Sequence, residues 1–365
     1  MKFRKILHSI FPALITLCVL CAAYLALDLK HKSQIPREDQ GKQLPFLVRE
    51  SDYYIADTIA GHIHRPNAER IYDWKIHPRG KIVLRTNNLG FRNDRSTTQE
   101  KSQNVKRILI TGDSHVDGVV FNDENVAHQL EILLNSSSGS ETTNYEVLNG
   151  GVGYYSFSNY WGMLQRYAYL EPDVFIVIMY SGNDFLEAIA QAEKRNELTL
   201  PPRPRNYNLR LHRAASVKRR AAATFQALNQ IYFFKHYRDL RAKALDLSKR
   251  DLSKIKNFCA ERQISLLLVD LPAKIDVEWE TDARLLEKVV EILRLSKDDL
   301  NINKEMSTDL AKWIQDQNIS YIALDRAMES GQEQYFWKKD YHLNPTGHKL
   351  IAQMLYQKRK SWLTQ

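Results

Sequence analysis

Three residue types that can work together on an acyl carbon lie far apart in this chain. The stretch ILITGDSHVDG, residues 108–118, carries an apolar run that stops abruptly at Gly112, Asp113, Ser114 and His115. A plain turn explains such an ending, and so does a nucleophile held at the lip of a sheet. Much later, Asp340, Tyr341 and His342 place an acid and an imidazole two positions apart. A serine hydroxyl is a poor nucleophile until an imidazole takes its proton, and that imidazole needs an acid to orient it. Ser114, His342 and Asp340 supply one of each. A tetrahedral intermediate also needs donors aimed at its oxyanion. The Ser114 backbone N–H, the Gly153 backbone N–H and the Asn183 side-chain amide are candidates, and glycine suits a position where backbone must approach a ligand.

A scaffold must bring these groups together. From residue 105 the hydrophobic pattern alternates between strand and helix. Strands are expected at 107–111, 145–148, 174–180, 264–271 and 321–325, and helices at 126–134, 159–170, 253–262 and 346–358; ahead of them KIVLRTNNLGFRND, residues 81–94, reads as a strand and then a turn. The run VFIVIMY is continuous, apolar and rich in β-branched residues, as in a central parallel strand. Strands separated by helices predict an α/β domain with a parallel sheet covered on both faces. Ligands of such sheets bind outside the carboxyl ends of the strands. The segments just beyond those ends are GDSH, NGGVGYY, SGNDF and, before the last helix, KDYHLNPTGH. Four polar or glycine-rich patches therefore fall on one rim. The alternation breaks over 186–249, which reads as a helical insertion. No acid occurs in residues 198–238, so the insertion is basic.

Gly112-Asp113-Ser114, Gly153, Gly182-Asn183-Asp184 and Asp340-Tyr341-His342 resemble, in order, the four blocks of the SGNH (GDSL-type) hydrolases. The match spans residues 105–355. NNLGFRND before it and HLNPTGH at its end resemble membrane-anchored bacterial members. The resemblance implies a flavodoxin-like three-layer α/β/α sandwich. It implies ester hydrolysis or acyl transfer through a serine ester, with Ser114 as nucleophile, His342 as base and Asp340 as orienting acid. Ser114, Gly153 and Asn183 take the oxyanion positions, and no metal or organic cofactor is required. Two features depart from the common pattern. The acid and base are two apart rather than three, a spacing shared with polysaccharide O-acetylation relatives, and His115 follows the serine. No Gly-x-Ser-x-Gly elbow occurs, which speaks against a standard α/β-hydrolase.

Other residues carry weaker signals. His115, Arg92 and Lys274 are candidate substrate contacts; a structural role is the alternative for each. Asp113 and Asp184 read as supports of their loops, and His348 as a packed residue of the last helix. His62 and His64 in GHIHRP have ligand-like spacing but no third ligand nearby, so no metal site is expected. The arginines of 203–220 read as a solvated face, or as a lid or membrane-facing surface.

Of 365 residues, 44% are hydrophobic and 26% charged, which predicts a packed domain rather than disorder. A net charge of +9 favours acidic partners. No zinc-finger or RNA-binding signature accompanies it, so nucleic acid is not expected. With two of the three cysteines in the N-terminal apolar run and Cys259 in a helix, no disulfide framework is expected. Lys2, Arg4 and Lys5 precede an apolar run over residues 10–27, with membrane contact placed at 6–27. This reads as a single-pass signal anchor over 1–30, followed by a stalk and extension over 31–104 and the catalytic domain over 105–365. The domain would then face the periplasm or extracellular space. A cleaved signal peptide is the alternative. The substrate is expected to be an acyl ester of carbohydrate or lipid. O-acyl transfer and a non-catalytic role in envelope polysaccharide assembly are the rival readings.

Overall fold

A computed structural model describes residues 51–136, 143–279, 283–329, 333–338 and 340–363. The expected anchor, its membrane contact at 6–27 and the first part of the stalk lie outside the described residues. No described helix is long and apolar enough to cross a membrane.

The described chain opens with two β-hairpins. Strands β1 (Tyr54–Asp57) and β2 (Gly61–His64) pair antiparallel, as do β3 (Glu69–Tyr72) and β4 (Ile82–Arg85). Read from sequence as stalk and extension, this segment instead joins the core: Tyr53, Tyr54, Ile63, Ile82, Leu84 and Phe91 are buried with the residues of the main sheet. Strand β4 falls in the KIVLR stretch expected as a strand, whereas β1, β2 and β3, four residues each, do not announce themselves by alternation.

The main sheet contains β5 (Val105–Gly112), β6 (Asn144–Asn149), β7 (Val174–Tyr180), β8 (Ser265–Leu271) and β9 (Ser320–Ala323). All pairings are parallel and the order is β6-β5-β7-β8-β9. Every residue of β7 is buried, as its apolar run predicts for a strand covered on both faces. The strand order reverses at β5, between β6 and β7, and a crevice opens at such a reversal.

The helices are α1 (Ser114–Asp117), α2 (Val126–Ser136), α3 (Phe157–Tyr167), α4 (Asp184–Lys194), α5 (Tyr207–Ser216), α6 (Lys218–His236), α7 (Asp239–Glu261), α8 (Lys274–Val277), α9 (Ala283–Leu293), α10 (Ile302–Asp316), α11 (Asp325–Glu329) and α12 (Pro345–Gln357). The main ones flank the sheet in two packed groups. Helix α2 packs on β6 and on α12, whereas α3 packs on α7 and α7 on α10. The result is an α/β sandwich with a five-stranded parallel centre.

Helix α7 begins fourteen residues before the helix expected at 253–262. Its buried Ala244, Leu247, Asp251, Ile255 and Cys259 keep a helical period, which the charged SKRDLSK stretch hides in the sequence. The expected insertion is therefore α5 and α6 between two framework helices. It has an aromatic centre, with Tyr207 stacked on Tyr232 at 4.6 Å. On α6, buried Gln230 donates to the Ser181 carbonyl and to Asn303 and accepts the Leu186 N–H. It ties the insertion to the loop that carries Asn183.

Candidate active site

The β5 strand ends at Gly112 because no side chain fits there. A Cβ at Gly112 would lie 2.3 Å from the Val116 side chain and 2.8 Å from the Ile178 carbonyl. The chain can therefore turn tightly over the sheet into α1. Asp113 caps that turn by accepting the His115 N–H at 2.8 Å. Its carboxyl is buried, and burial pushes it up to about 7, although the His115 N–H and the His342 charge oppose the rise. Asn149, the last residue of β6, donates to the Val116 carbonyl and accepts the Gly151 N–H, so it straps α1 to the neighbouring loop.

This turn presents Ser114 to His342. Ser114 Oγ lies 2.9 Å from His342 Nε2, and His342 Nδ1 lies 2.5 Å from Asp340 Oδ1. The Nδ1–H on the carboxylate leaves Nε2 as the acceptor for the serine proton. Asp340 Oδ1 also accepts the His342 backbone N–H at 2.9 Å. Burial alone would lower the imidazole, but the Asp340 charge and hydrogen bond outweigh it and raise His342 above the usual 6.5. Burial likewise opposes ionisation of Asp340. The His342 charge and hydrogen bonds, with Lys274 nearby, nevertheless hold that carboxyl below its ordinary range.

The segment bearing the acid and base is a braced turn. Phe336 bridges Leu343 antiparallel, and the Trp337 N–H donates to the His342 carbonyl at 3.0 Å. Lys274 Nζ donates to the Trp337 carbonyl at 2.9 Å. Asn344 caps α12 by accepting the Gly347 N–H at 3.0 Å.

The expected oxyanion donors meet at the same cleft, whose lining includes Ser114, Gly153, Asn183, Asp340 and His342 and whose volume is about 770 Å³. A Cβ at Gly153 would lie 3.9 Å from the Ser114 Cβ and 3.3 Å from the Tyr54 hydroxyl. Among the described residues, no group accepts the Ser114 or Gly153 backbone N–H. Asn183 sits at the N-cap of α4 without making a side-chain cap bond, and its Oδ1 is buried with no partner. Asp184 beneath it accepts from the Tyr160 hydroxyl at 2.8 Å and the Tyr180 N–H at 2.9 Å, which fixes the loop.

Three expected substrate contacts are not in the cleft. His115 is buried with its ring 3.8 Å from that of Tyr180, and burial holds it well below 6.5. Arg92 is fully buried. It donates to the Asp117 carboxylate at 2.8 Å, to the Val120 carbonyl at 3.0 Å and to Asn122 at 3.1 Å. Lys274 is buried and engaged by the Trp337 carbonyl. The first two serve the floor of the site and the third serves its turn. A rim position in sequence specifies the end of a strand, not whether a side chain points out or in.

The GHIHRP histidines belong to the same floor. His62 Nε2 donates to the Gly153 carbonyl at 2.8 Å, and His64 Nε2 lies 3.3 Å from Asp117. Burial lowers His62 to about 4, so it is neutral near pH 7. Burial would raise Asp117, but His64 and Arg92 hold it at about 2. Among the described residues no group of three or more His, Cys, Asp or Glu is placed to hold a metal ion. Tyr54, Arg70, Tyr72, Trp74, Tyr154, Tyr341 and Gln226 also line the cleft and were not singled out from the sequence. The signal available for Tyr54, Tyr154 and Tyr341 was the density of tyrosine in YY and GGVGYY and in DYH.

Fold and site together define an α/β sandwich with serine, histidine and aspartate hydrogen-bonded in series at the reversal point of its sheet. No family model matches the chain, and no curated protein does. Solved structures do resemble it. A lipase/acylhydrolase from Enterococcus faecalis is 12% identical, with a TM-score of 0.34, covering 70% of this chain and 96% of that one. An acetylxylan esterase from Geobacillus stearothermophilus, solved as a catalytic mutant, is 10% identical with a TM-score of 0.37, covering 72% and 96%. A lipase from a goat rumen metagenome is 12% identical with a TM-score of 0.38, covering 69% and 96%.

Proposed function

We propose that this chain is a serine esterase of the SGNH type, acting on acetyl or other short acyl esters of cell-envelope carbohydrate or lipid. The observation that carries this reading is the series Ser114 Oγ, His342 Nε2, His342 Nδ1 and Asp340 Oδ1, at 2.9 and 2.5 Å, open to a cleft. Ser114 Oγ attacks the acyl carbon while His342 takes its proton. The oxyanion is held by the Ser114 and Gly153 N–H groups and the Asn183 amide. Collapse expels the alcohol, which receives the proton from His342. Water, deprotonated by His342, then releases the acid and restores the serine. A sugar hydroxyl in place of that water makes the same site an O-acyltransferase. In this reading the N-terminal apolar run anchors the domain at a membrane on its outer side.

The test is hydrolysis of short- and long-chain p-nitrophenyl esters by the wild-type chain beside Ser114→Ala. Turnover that disappears in the variant is the expected result. Turnover that survives it, or none in either protein with no acyl transfer to a sugar, counts against the reading.

A further inference from the structure

Arg70 stands in the wall of the cleft with nothing acidic to hold. Arg70 and Tyr72 share a face of β3, by the two-residue period of a strand. The Arg70 guanidinium lies 4.7 Å from the centroid of the Tyr72 ring, 5.7 Å from that of Tyr53 and 5.8 Å from that of Tyr54. Its contacts are thus aromatic faces. Among the described residues it makes no ion pair and no side-chain hydrogen bond. The acids around it are engaged elsewhere or make no bond to it. Glu69 pairs with Arg85 at 3.1 Å, and Asp117 is taken by Arg92 and His64. Asp52, which also lines the cleft, is exposed and makes no ion pair with Arg70. The guanidinium carries five N–H donors in a rigid fork that matches a carboxylate or a phosphate. Arginine that only shields aromatic rings could sit anywhere on the surface. This one lines the cleft that holds Ser114 and His342.

From this placement we infer that Arg70 is the subsite for an anionic group, a carboxylate or a phosphate, carried on the sugar portion of the substrate. The inference rests on the esterase reading and narrows its substrate class. Tyr72 beside Arg70, and Trp74 and Tyr154 in the lining of the same cleft, offer flat faces that suit the C–H faces of sugar rings. A cleft of about 770 Å³ exceeds what an acetyl group fills, so most of it is available to the alcohol portion. The anion is held by the fork while the ester reaches Ser114.

Binding separates this inference from the chemistry. The full chain is titrated with a galacturonic acid oligomer, a glucose oligomer bearing a terminal phosphate monoester, and the unmodified glucose oligomer of the same length. The wild type is expected to bind at least one anionic oligomer about tenfold or more tightly than the neutral one, with the preference fading at high salt. Which anion is preferred distinguishes uronate from phosphate. In Arg70→Ala and Arg70→Gln the anionic oligomers should bind no better than the neutral one, and Arg70→Lys should keep part of the preference. The Gln variant decides the matter if the Ala variant does not fold. No preference in the wild type, or a preference that survives both neutral variants, overturns the inference. Labelling of Ser114 by a fluorophosphonate in the same samples reports on the esterase reading independently.

Discussion

In the proposed reaction the chemistry at Ser114 turns on the protonation state of one imidazole. His342 must be neutral to accept the serine proton, and the Asp340 carboxylate raises its pKa above 6.5 against the effect of burial. The expected pH profile of kcat/KM therefore rises with pH and levels off above a midpoint higher than 6.5. Asp340→Asn removes the charge that opposes burial. It should lower kcat/KM by about 10³ to 10⁴ and move the midpoint of any residual activity to lower pH, read by steady-state ester hydrolysis across pH. A midpoint that stays in place would assign the shift to another acid. Asp113 is the one to suspect, yet its carboxylate faces the His115 N–H. At this scale the sequence was most legible where polar residues interrupt apolar strands, as at Ser114 and Asn183. It misled at Arg92, His115 and Lys274, because burial of a charged or polar side chain depends on partners from distant segments. Arg92 meets Asp117 and Asn122, and Lys274 meets a carbonyl sixty-three residues away.

The element that decides precision is the turn between Tyr335 and Asn344. It is short, and its order depends on bonds from outside, chiefly Lys274 at the start of α8 and Glu278, which accepts the Tyr335 and Phe336 N–H groups. Lys274→Met is expected to lower kcat about tenfold or more while leaving KM nearly unchanged, since the acid and base lose their fixed distance to Ser114 but the substrate wall stays. An unchanged kcat would show that the turn holds itself. The strands β7 and β8 were readable because each is a long apolar run buried in the sheet, and β5 because its short run Ile108–Ile110 stops at glycine and polar residues. Of the hairpins β1–β2 and β3–β4, only β4 was, from the KIVLR run. The residues of the other three strands alternate poorly, and their burial comes from contact with the main sheet rather than from their own pattern. Helix α7 was half hidden by the charges of its exposed side.

Over the whole molecule, the hairpins and the sheet share one core, and several carboxyls are buried in it. Asp270 of β8 is pushed up to about 7 by burial, against the hydrogen bond from the Tyr321 hydroxyl at 3.2 Å. A carboxyl whose folded pKa lies above its ordinary 3.8 contributes stability at low pH that is lost as pH rises through about 7. Asp270→Asn keeps the shape and the hydrogen bond but not the charge. Its melting temperature relative to wild type should climb between pH 4 and pH 7 and then level off, by a few degrees in total. A difference that is flat with pH would mean that Asp270 ionises normally in the fold. Asp117 has the opposite sign. Held at about 2, it contributes stability above pH 4 that is lost as pH falls toward 2, and Asp117→Asn should lose its effect on the melting temperature over that window. Asp117 lies in the floor of the proposed site, so there the stability of the fold and the geometry of the site titrate together.

In the proposed mechanism Ser114 is a nucleophile activated by His342. The most direct measurement is mass spectrometry of the chain after reaction with a fluorophosphonate at neutral pH, with peptide mapping of the adduct, beside His342→Ala. A nucleophile activated in this way gives a single adduct on Ser114 that forms much more slowly, or not at all, in the variant. No adduct on Ser114, or labelling at the same rate without His342, would contradict it.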